Sequence, residues 1–233
     1  MHDGRPVGCE ALLRWDHPTR GLVQPNEFIL VAEEQGLIAP IGRWVLEQAC
    51  RQAAEWRRPG SNVYVSVNVS PLQFVRDDFV GDVERALADS RLPASLLCLE
   101  MTETSLVHDA RPLLPALRRL RDLGVRLAID DFGGGASSFG LLRILPIDVI
   151  KVDRVFIGGL PDRRDDRAIV AAVLSLADEL DLTVIAEGVE EDRQHWELRD
   201  LGCRFAQGFL YARPVPAHRL ELDGYPAAVQ RAA

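Results

Sequence analysis

Short runs rich in apolar and β-branched residues alternate with segments of helical period along the 233-residue sequence. The strand candidates are VGCEALLRW (7–15), VYVSVNVS (63–70), LLCLEMTE (96–103), VRLAIDDFG (125–133), IDVIKVD (147–153), LTVIAEG (182–188) and CRFAQGF (203–209). The helical segments between them cover residues 25–37, 41–58, 79–90, 110–124, 165–181 and 190–202. This alternation predicts an α/β fold in which helices cover a parallel sheet.

Polar side chains interrupt the apolar runs within or just after the strand candidates. They are Glu10, Asn68, Glu100, Asp130, Asp131, Lys151, Asp153, Glu187 and Gln207. In a closed (β/α)₈ barrel the carboxyl ends of all strands meet at one rim, where such enzymes hold their chemistry. In an open, doubly wound sheet they would be spread along an edge. The pattern therefore favours the barrel, of which seven of the eight strands are found.

Composition and charge exclude several classes of protein. The net charge is −8 and the basic residues are dispersed, which argues against a polynucleotide partner. The N-terminus lacks a signal-peptide pattern and no apolar run could span a bilayer, so no membrane segment is expected in this chain. The four cysteines have neither C-x-x-C nor zinc-ligand spacing, and we interpret them as reduced thiols of a cytoplasmic protein.

The stretch AIDDFGGGASS, residues 128–138, places two adjacent acids where a strand is expected to stop. Neighbouring side chains on a strand point to opposite faces, so Asp130 and Asp131 can face one site only where the backbone turns. We expect Gly133 to Gly135 to supply that turn. Paired carboxylates of this kind suit a site with two divalent cations that activates water for attack on a phosphodiester.

Each polar residue also has a simpler interpretation. Asn68 alone is typical of a turn, and Glu100 and Glu103 resemble the acids of a helix start. Lys151 and Glu187 are harder to explain in this way, because a charge within an apolar run costs free energy unless a partner is present. Dinucleotide, Walker and protein-kinase motifs are not completed by the surrounding residues.

Seven motifs together resemble the EAL domain, the cyclic di-GMP phosphodiesterase module of bacteria. They are EALLRW followed by HP, VNVS, EMTE, DDFG, IDVIKVDRVF, AEGVE and QGF, in the family's order and approximate spacing from about residue 7 to 216. The resemblance implies a single EAL-type domain over residues 1–233, a TIM-barrel variant with one antiparallel strand. It implies hydrolysis of cyclic di-GMP to linear pGpG with two Mg²⁺ or Mn²⁺ ions.

The resemblance also assigns roles to individual residues. The implied metal ligands are Glu10, Asn68, Glu100, Asp130, Asp131 and Glu187. Lys151 would hold or polarise the attacking water, so that Glu10, Lys151 and Glu187 form the implied catalytic group. Gln207 would support this cluster, and Arg14 and Asp153 resemble substrate contacts. Glu103 and Glu190 resemble the acids that anchor the loop after DDFG.

Two departures from the family pattern keep a second function open. The family's usual DFGTGYSS is DFGGGASS here, and the chain begins at Met1 inside the first hairpin, so the family's N-terminal strand is expected to be missing. An active phosphodiesterase is therefore weighed against a weak or inactive receptor that binds cyclic di-GMP, with a protein scaffold as a third hypothesis. A homodimer and flanking sensory or GGDEF domains in a longer protein are further partners that the resemblance leaves open.

Overall fold

A computed structural model of the protein describes residues 4–57, 63–76, 78–107, 110–134, 139–220 and 222. The chain divides into two compact units. The first unit contains Val7–Met101 and Asp109–Arg126, and the second contains Met1–Pro6, Thr102–His108 and Leu127–Ala233. The prediction of one EAL-type domain over residues 1–233 stays a prediction.

The two units contain the following elements. The strands are β1 (Gly8–Ala11), β2 (Trp15–His17), β3 (Gly21–Val23), β4 (Tyr64–Asn68), β5 (Leu97–Thr102), β6 (Arg126–Phe132), β7 (Val149–Val152), β8 (Thr183–Ala186) and β9 (Phe205–Ala206). The α-helices are α1 (Pro25–Glu34), α2 (Ile38–Trp56), α3 (Pro71–Arg76), α4 (Phe79–Ser90), α5 (Glu103–Val107), α6 (Leu114–Asp122), α7 (Phe139–Ile144), α8 (Arg154–Ile157), α9 (Arg164–Glu179) and α10 (Asp192–Asp200). Short 3₁₀ turns cover Ala94–Leu96, Arg111–Leu113 and Ala217–Arg219.

Parallel strands form the centre of the first unit. β1 pairs with β4 and β4 pairs with β5, with Asn68 opposite Glu100 in the register. The two long helices α2 and α4 turn apolar stripes inward, and Cys50 and Val83 on these stripes are fully buried. An ion pair of 2.9 Å between Arg43 Nε and Asp82 Oδ1 joins the two helices. The pairing leaves the carboxyl ends of all three strands at one edge.

The antiparallel pairing in the described ranges is a hairpin of the first unit. β2 pairs with β3, with Trp15 opposite Val23, in a two-stranded sheet of its own. Trp15 packs edge-on against Phe28 of α1, with ring centroids 5.8 Å apart. The pairings recorded between the other strands of either unit are parallel.

The second unit repeats the same construction with four strands. β6, β7, β8 and β9 pair in that order, all in parallel. Ile129 and Ile150 on the inner strands are fully buried, and Val170 and Val173 of α9 are buried as well. The apolar runs of these strands reflect burial on both faces, which is typical of parallel sheets covered by helices.

The predicted strands and the structure agree in kind and differ in length. Each of the seven strand candidates contains a strand, but the run at 203–209 yields the two residues of β9, and the run at 7–15 is divided between β1 and the start of β2. α8 was not predicted, although an N-cap residue, Asp153, precedes it. No helix in the described part of the chain has the length and hydropathy needed to cross a membrane.

Candidate active site

A buried lysine lies among the acids of the second unit. Lys151 on β7 is 1% exposed. Its Nζ lies 3.0 Å from Oδ1 of Asp130 on β6 and 2.8 Å from Oε1 of Glu187, which follows β8. These strands are parallel neighbours, so their carboxyl ends bring the three side chains together. The opposite charges offset the cost of burying each of them, which would be large for any one alone.

Lys151 is the one lysine of the sequence, in which lysines and arginines together number 27. An ammonium is a compact point charge on a flexible stem, whereas a guanidinium is planar and larger, so the two are not interchangeable between two carboxylates. This signal is present in the composition and was missed by sequence reasoning. All the remaining residues of the lysine and arginine total are arginines, so position 151 stands out from the composition by itself.

Asp130 and Asp131 reach one site through an irregularity in β6. The register of β6 against β7 shifts between Ile129 and Phe132, as in a β-bulge, and the two aspartates lie in that interval. Asp131 has a φ of +54°, a left-handed conformation that residues other than glycine seldom adopt. The turn was expected at Gly133–Gly135. Gly133 has the expected left-handed φ of +90°, but the turn begins two residues earlier, at Asp131 itself, and Gly135 lies outside the described residues.

Three carboxylates of the second unit fit a divalent cation. Asp130, Asp131 and Glu187 each offer one oxygen, and these oxygens all lie within 4.8 Å of one another. Hard cations such as Mg²⁺ and Mn²⁺ take oxygen ligands, and carboxylates from separate elements are their usual protein donors. The donor set is therefore suited to such an ion in chemistry and in spacing.

Glu103 holds the backbone just beyond the two aspartates. It begins α5 and is 1% exposed, and its Oε2 accepts a hydrogen bond of 2.8 Å from the N–H of Gly133. A buried carboxylate that accepts from a backbone N–H makes a strong, charge-assisted bond. This is the contact that a loop-anchoring residue makes, and the anchoring role itself stays a prediction.

The remaining predicted residues of the second unit lie near strand ends in different settings. Asp153 follows β7, and its Oδ1 accepts from the N–H of Val155 at 3.0 Å, which caps α8. Gln207 is exposed after β9, with its N–H donating to the carbonyl of Ala186 at 2.8 Å. Glu190 is exposed, and its N–H donates to Oε1 of Gln194 at 2.8 Å. Their predicted roles stay predictions.

The first unit brings a second set of predicted residues together. Nδ2 of Asn68, at the end of β4, donates a hydrogen bond of 2.7 Å to Oε1 of Glu10 on β1. Glu100 lies opposite Asn68 in the register and is 2% exposed. Arg14 turns back onto its own backbone, with Nη1 donating to the carbonyl of Leu13 at 2.7 Å. The structure thus joins Glu10 to Asn68, while this contact of Arg14 is local.

Two thiols of the first unit are buried and protonated at neutral pH. Cys9 precedes Glu10 on β1, and burial raises the pKa of its thiol to about 12. Burial likewise raises the pKa of Cys50 to about 12. A thiol with so high a pKa stays protonated, and the protonated form is neither a nucleophile nor a metal ligand. None of the four cysteines, which all lie in the described ranges, takes part in a disulfide.

Parallel strands with acids at their carboxyl ends, one buried lysine and carboxylate oxygens spaced for a divalent cation are typical of α/β enzymes. The family model of the EAL domain matches residues 1–214. The chain belongs to the EAL domain family. The predicted family is thereby confirmed.

Two relatives are named for the chemistry of cyclic di-GMP. The chain is 45% identical over 219 residues to the bifunctional diguanylate cyclase/cyclic di-GMP phosphodiesterase MucR of Pseudomonas aeruginosa, covering 94% of this chain and 32% of that protein. It is 43% identical over 222 residues to the cyclic di-GMP phosphodiesterase NbdA of the same organism, covering 95% of this chain and 28% of that protein. The chain therefore spans about a third of the length of the curated relatives it matches.

A solved structure extends the similarity to three dimensions. The P. aeruginosa MucR phosphodiesterase in complex with cyclic di-GMP matches with a TM-score of 0.86 and 45% identity, covering 92% of this chain and 87% of that one. This match confirms the predicted fold class, the TIM-barrel variant of the α/β proteins.

Proposed function

We propose that this protein is a metal-dependent phosphodiesterase that hydrolyses cyclic di-GMP to linear pGpG. The observation that carries the proposal is the burial of the one lysine between Asp130 and Glu187 at the carboxyl ends of parallel strands. Burial of charged groups costs free energy, so a buried cluster of this kind is a candidate functional site. The choice of cyclic di-GMP as the substrate rests on the relatives MucR and NbdA, which are both named as cyclic di-GMP phosphodiesterases.

The metal would be held by acids that belong to the family's motifs. Asp130, Asp131 and Glu187 are suited to it by the spacing of their oxygens. The resemblance adds Glu10, Asn68 and Glu100, and it gives two ions, Mg²⁺ or Mn²⁺. When bound, the ions would lower the pKa of a water and neutralise charge on the phosphoryl oxygens.

The remaining residues would orient the reactants. Lys151 is held by carboxylates on two sides, so its charge is fixed at the strand ends and can align a water with the phosphorus. Gln207 supports this cluster in the proposal, and Arg14 contacts the substrate. Glu103 and Glu190 keep the loop after Asp131 in place, and the bond from Gly133 to Glu103 supports that assignment.

The proposal also covers the neighbouring domains, the oligomeric state and the location of the enzyme. Since the chain spans about a third of the relatives it matches, we propose that it works beside sensory or GGDEF domains in a longer protein. A homodimer is part of the same proposal. We also propose a cytoplasmic location, because the four cysteines of the described ranges form no disulfide and disulfides are rare in that compartment.

The test is chromatography of nucleotides after incubation of the purified protein with cyclic di-GMP and Mn²⁺. Parallel samples contain Ca²⁺ in place of Mn²⁺, the variant Glu10→Ala, and the control Glu84→Ala, an exposed acid on α4. We expect pGpG with Mn²⁺ from the unchanged protein and from Glu84→Ala, and none from the other two samples.

Absence of pGpG from every sample would overturn the proposal. A titration of the same protein with cyclic di-GMP then separates the remaining hypotheses. Saturable binding without turnover would assign the protein as a receptor, and no binding would assign it as a scaffold.

A further inference from the structure

A one-turn helix touches both acid-bearing segments of the second unit. A Cβ atom added at Gly134 would lie 2.1 Å from Oδ2 of Asp153, the residue that precedes α8. A Cβ atom added at Gly188 would lie 2.4 Å from Cβ of Arg154, the first residue of α8. Gly134 comes shortly after the two aspartates of β6, and Gly188 directly follows Glu187. The start of α8 therefore packs against the backbone beside both sets of carboxylates.

The orientation of Asp153 is fixed by its contacts with the helix. Its Oδ1 accepts the hydrogen bond from Val155 that caps α8, which leaves Oδ2 directed at Gly134. Its N–H donates to the carbonyl of Phe132 at 3.3 Å. One residue thus joins the end of β6, the end of β7 and the start of α8.

Asp131 needs support of this kind. A non-glycine residue with φ near +54° keeps that conformation only where its surroundings favour it. Glu103 holds one side of the following segment through the N–H of Gly133. Asp153 lies against the next residue, Gly134, so the two carboxylates hold adjacent positions of the same short segment.

We propose that Asp153 is a positioning residue of the acid cluster. By capping α8 and packing on Gly134 it holds Asp131 in place, and α8 in turn packs on Gly188 beside Glu187. Asp153 acts in this way on the spacing of the carboxylates, a role different from the substrate contact that the family resemblance implies. The functional readouts below rest on the proposed function.

Four variants test this role. Asp153→Asn keeps an oxygen that can accept from Val155, whereas Asp153→Ala removes it. Gly134→Ala places a methyl group where Oδ2 of Asp153 lies. Asp162→Ala is the matched control, since Asp162 is an exposed acid of the same unit that pairs with Arg193. Mn²⁺ affinity is measured by calorimetry, kcat and KM by pGpG formation, and folding by thermal unfolding.

Asp153→Ala and Gly134→Ala are expected to raise the Kd for Mn²⁺ about tenfold and to lower kcat to a similar degree, with KM unchanged. Asp153→Asn and Asp162→Ala should stay within about threefold of the unchanged protein. The double variant Gly134→Ala, Asp153→Ala should be no worse than Asp153→Ala alone, because both changes break the same contact. If Asp153→Ala raises KM but leaves kcat and Mn²⁺ affinity unchanged, Asp153 is a substrate contact and the proposal is wrong. The proposal is also wrong if the effects of Gly134→Ala and Asp153→Ala add in the double variant.

Failure of the proposed function is recognised separately. If the unchanged protein shows neither Mn²⁺ binding nor turnover, amide hydrogen exchange of Gly133 and Gly134 decides the positioning role. Faster exchange in Asp153→Ala than in Asp162→Ala would support the contact between Asp153 and the segment after Asp131. Equal exchange in the two variants would overturn it.

Discussion

The two units hold their acids in different ways. In the second unit, Asp130 and Glu187 each lie within 3.0 Å of the Lys151 ammonium, so the acids meet an opposite charge from the chain itself. In the first unit, Glu10 receives a hydrogen bond from the neutral amide of Asn68. A neutral donor orients a carboxylate but does not cancel its charge. The second unit therefore balances its acids with a lysine, whereas the amide of Asn68 leaves the charge of Glu10 in place.

Removal of Lys151 should have the largest effect. Lys151→Met leaves two largely buried carboxylates side by side, and breaking a buried ion pair in this way typically costs about 3–5 kcal/mol. We also expect turnover to fall on the order of a thousandfold, since an electrostatic group at the reacting centre is lost. Urea unfolding without metal and pGpG formation with Mn²⁺ measure the two effects.

The control for this change is Arg167→Ala, which removes a cation from a pair with Glu197 that is half exposed on the arginine side. Surface pairs of this kind contribute about 0–1 kcal/mol. Equal loss of stability in Lys151→Met and Arg167→Ala would contradict the difference drawn between a buried and a surface charge pair.

Replacement of one acid in each unit tests the comparison directly. Glu10→Gln keeps an oxygen that accepts from the amide of Asn68, so stability should change by less than about 0.5 kcal/mol. Glu187→Gln removes one of the carboxylate charges that contact Lys151 and should be clearly destabilising in the absence of metal. Both should reduce Mn²⁺-dependent turnover on the order of a hundredfold.

Unfolding curves in EDTA give the stability difference, and turnover with Mn²⁺ gives the functional one. The comparison between the units is wrong if Glu10→Gln destabilises the metal-free protein as much as Glu187→Gln does.

A smaller effect is expected at the anchor of the segment after Asp131. Glu103→Ala removes the buried carboxylate that accepts from the part-buried Gly133 N–H, and a hydrogen bond to a charged group typically contributes about 1.5–3 kcal/mol. Turnover should fall about tenfold, because the segment holds Asp131 less firmly. Thermal unfolding and pGpG formation are the measurements, with Glu84→Ala as the control. A stable Glu103→Ala variant with full activity would remove the anchoring role.

The smallest expected effect on the free energy of unfolding comes from the thiols of the first unit, and it is seen only at alkaline pH. Burial raises the pKa of Cys9 and Cys50 to about 12 from 9.0, so the unfolded chain releases these protons at lower pH than the folded one does. Their contribution to stability is fully present below pH 9 and is lost as the pH rises from 9 towards 12. Urea unfolding at about pH 8 and about pH 10 should show this loss, and Cys50→Ala should reduce it. An unchanged pH dependence in Cys50→Ala would contradict the assignment.

The sequence predicted the fold and the convergence of acids because both depend on period and order. Strands that alternate with helices pair in parallel, and parallel pairing brings Asp130, Lys151 and Glu187 to one edge. The left-handed conformation of Asp131 was not predicted, because a bulge depends on how β6 pairs with β7 and leaves no periodic signal.

Some side-chain contacts could not be predicted from the sequence either. The packing of Asp153 on Gly134 joins positions that a period does not relate, and it depends on how α8 starts. The substrate contact of Arg14 stays a prediction, and its local hydrogen bond to the carbonyl of Leu13 depends on the rotamer of the arginine, which the sequence does not give.

The proposed phosphodiesterase would hold its divalent cations beside Lys151. Because the sequence contains one lysine, a tag-free protein grown with ¹³Cε-labelled lysine gives a single lysine side-chain resonance. Titration with Mn²⁺ should broaden this resonance beyond detection near stoichiometric metal, and Mg²⁺ should shift it without broadening. A resonance that stays sharp and unmoved in excess Mn²⁺, in protein that remains folded, would contradict the account.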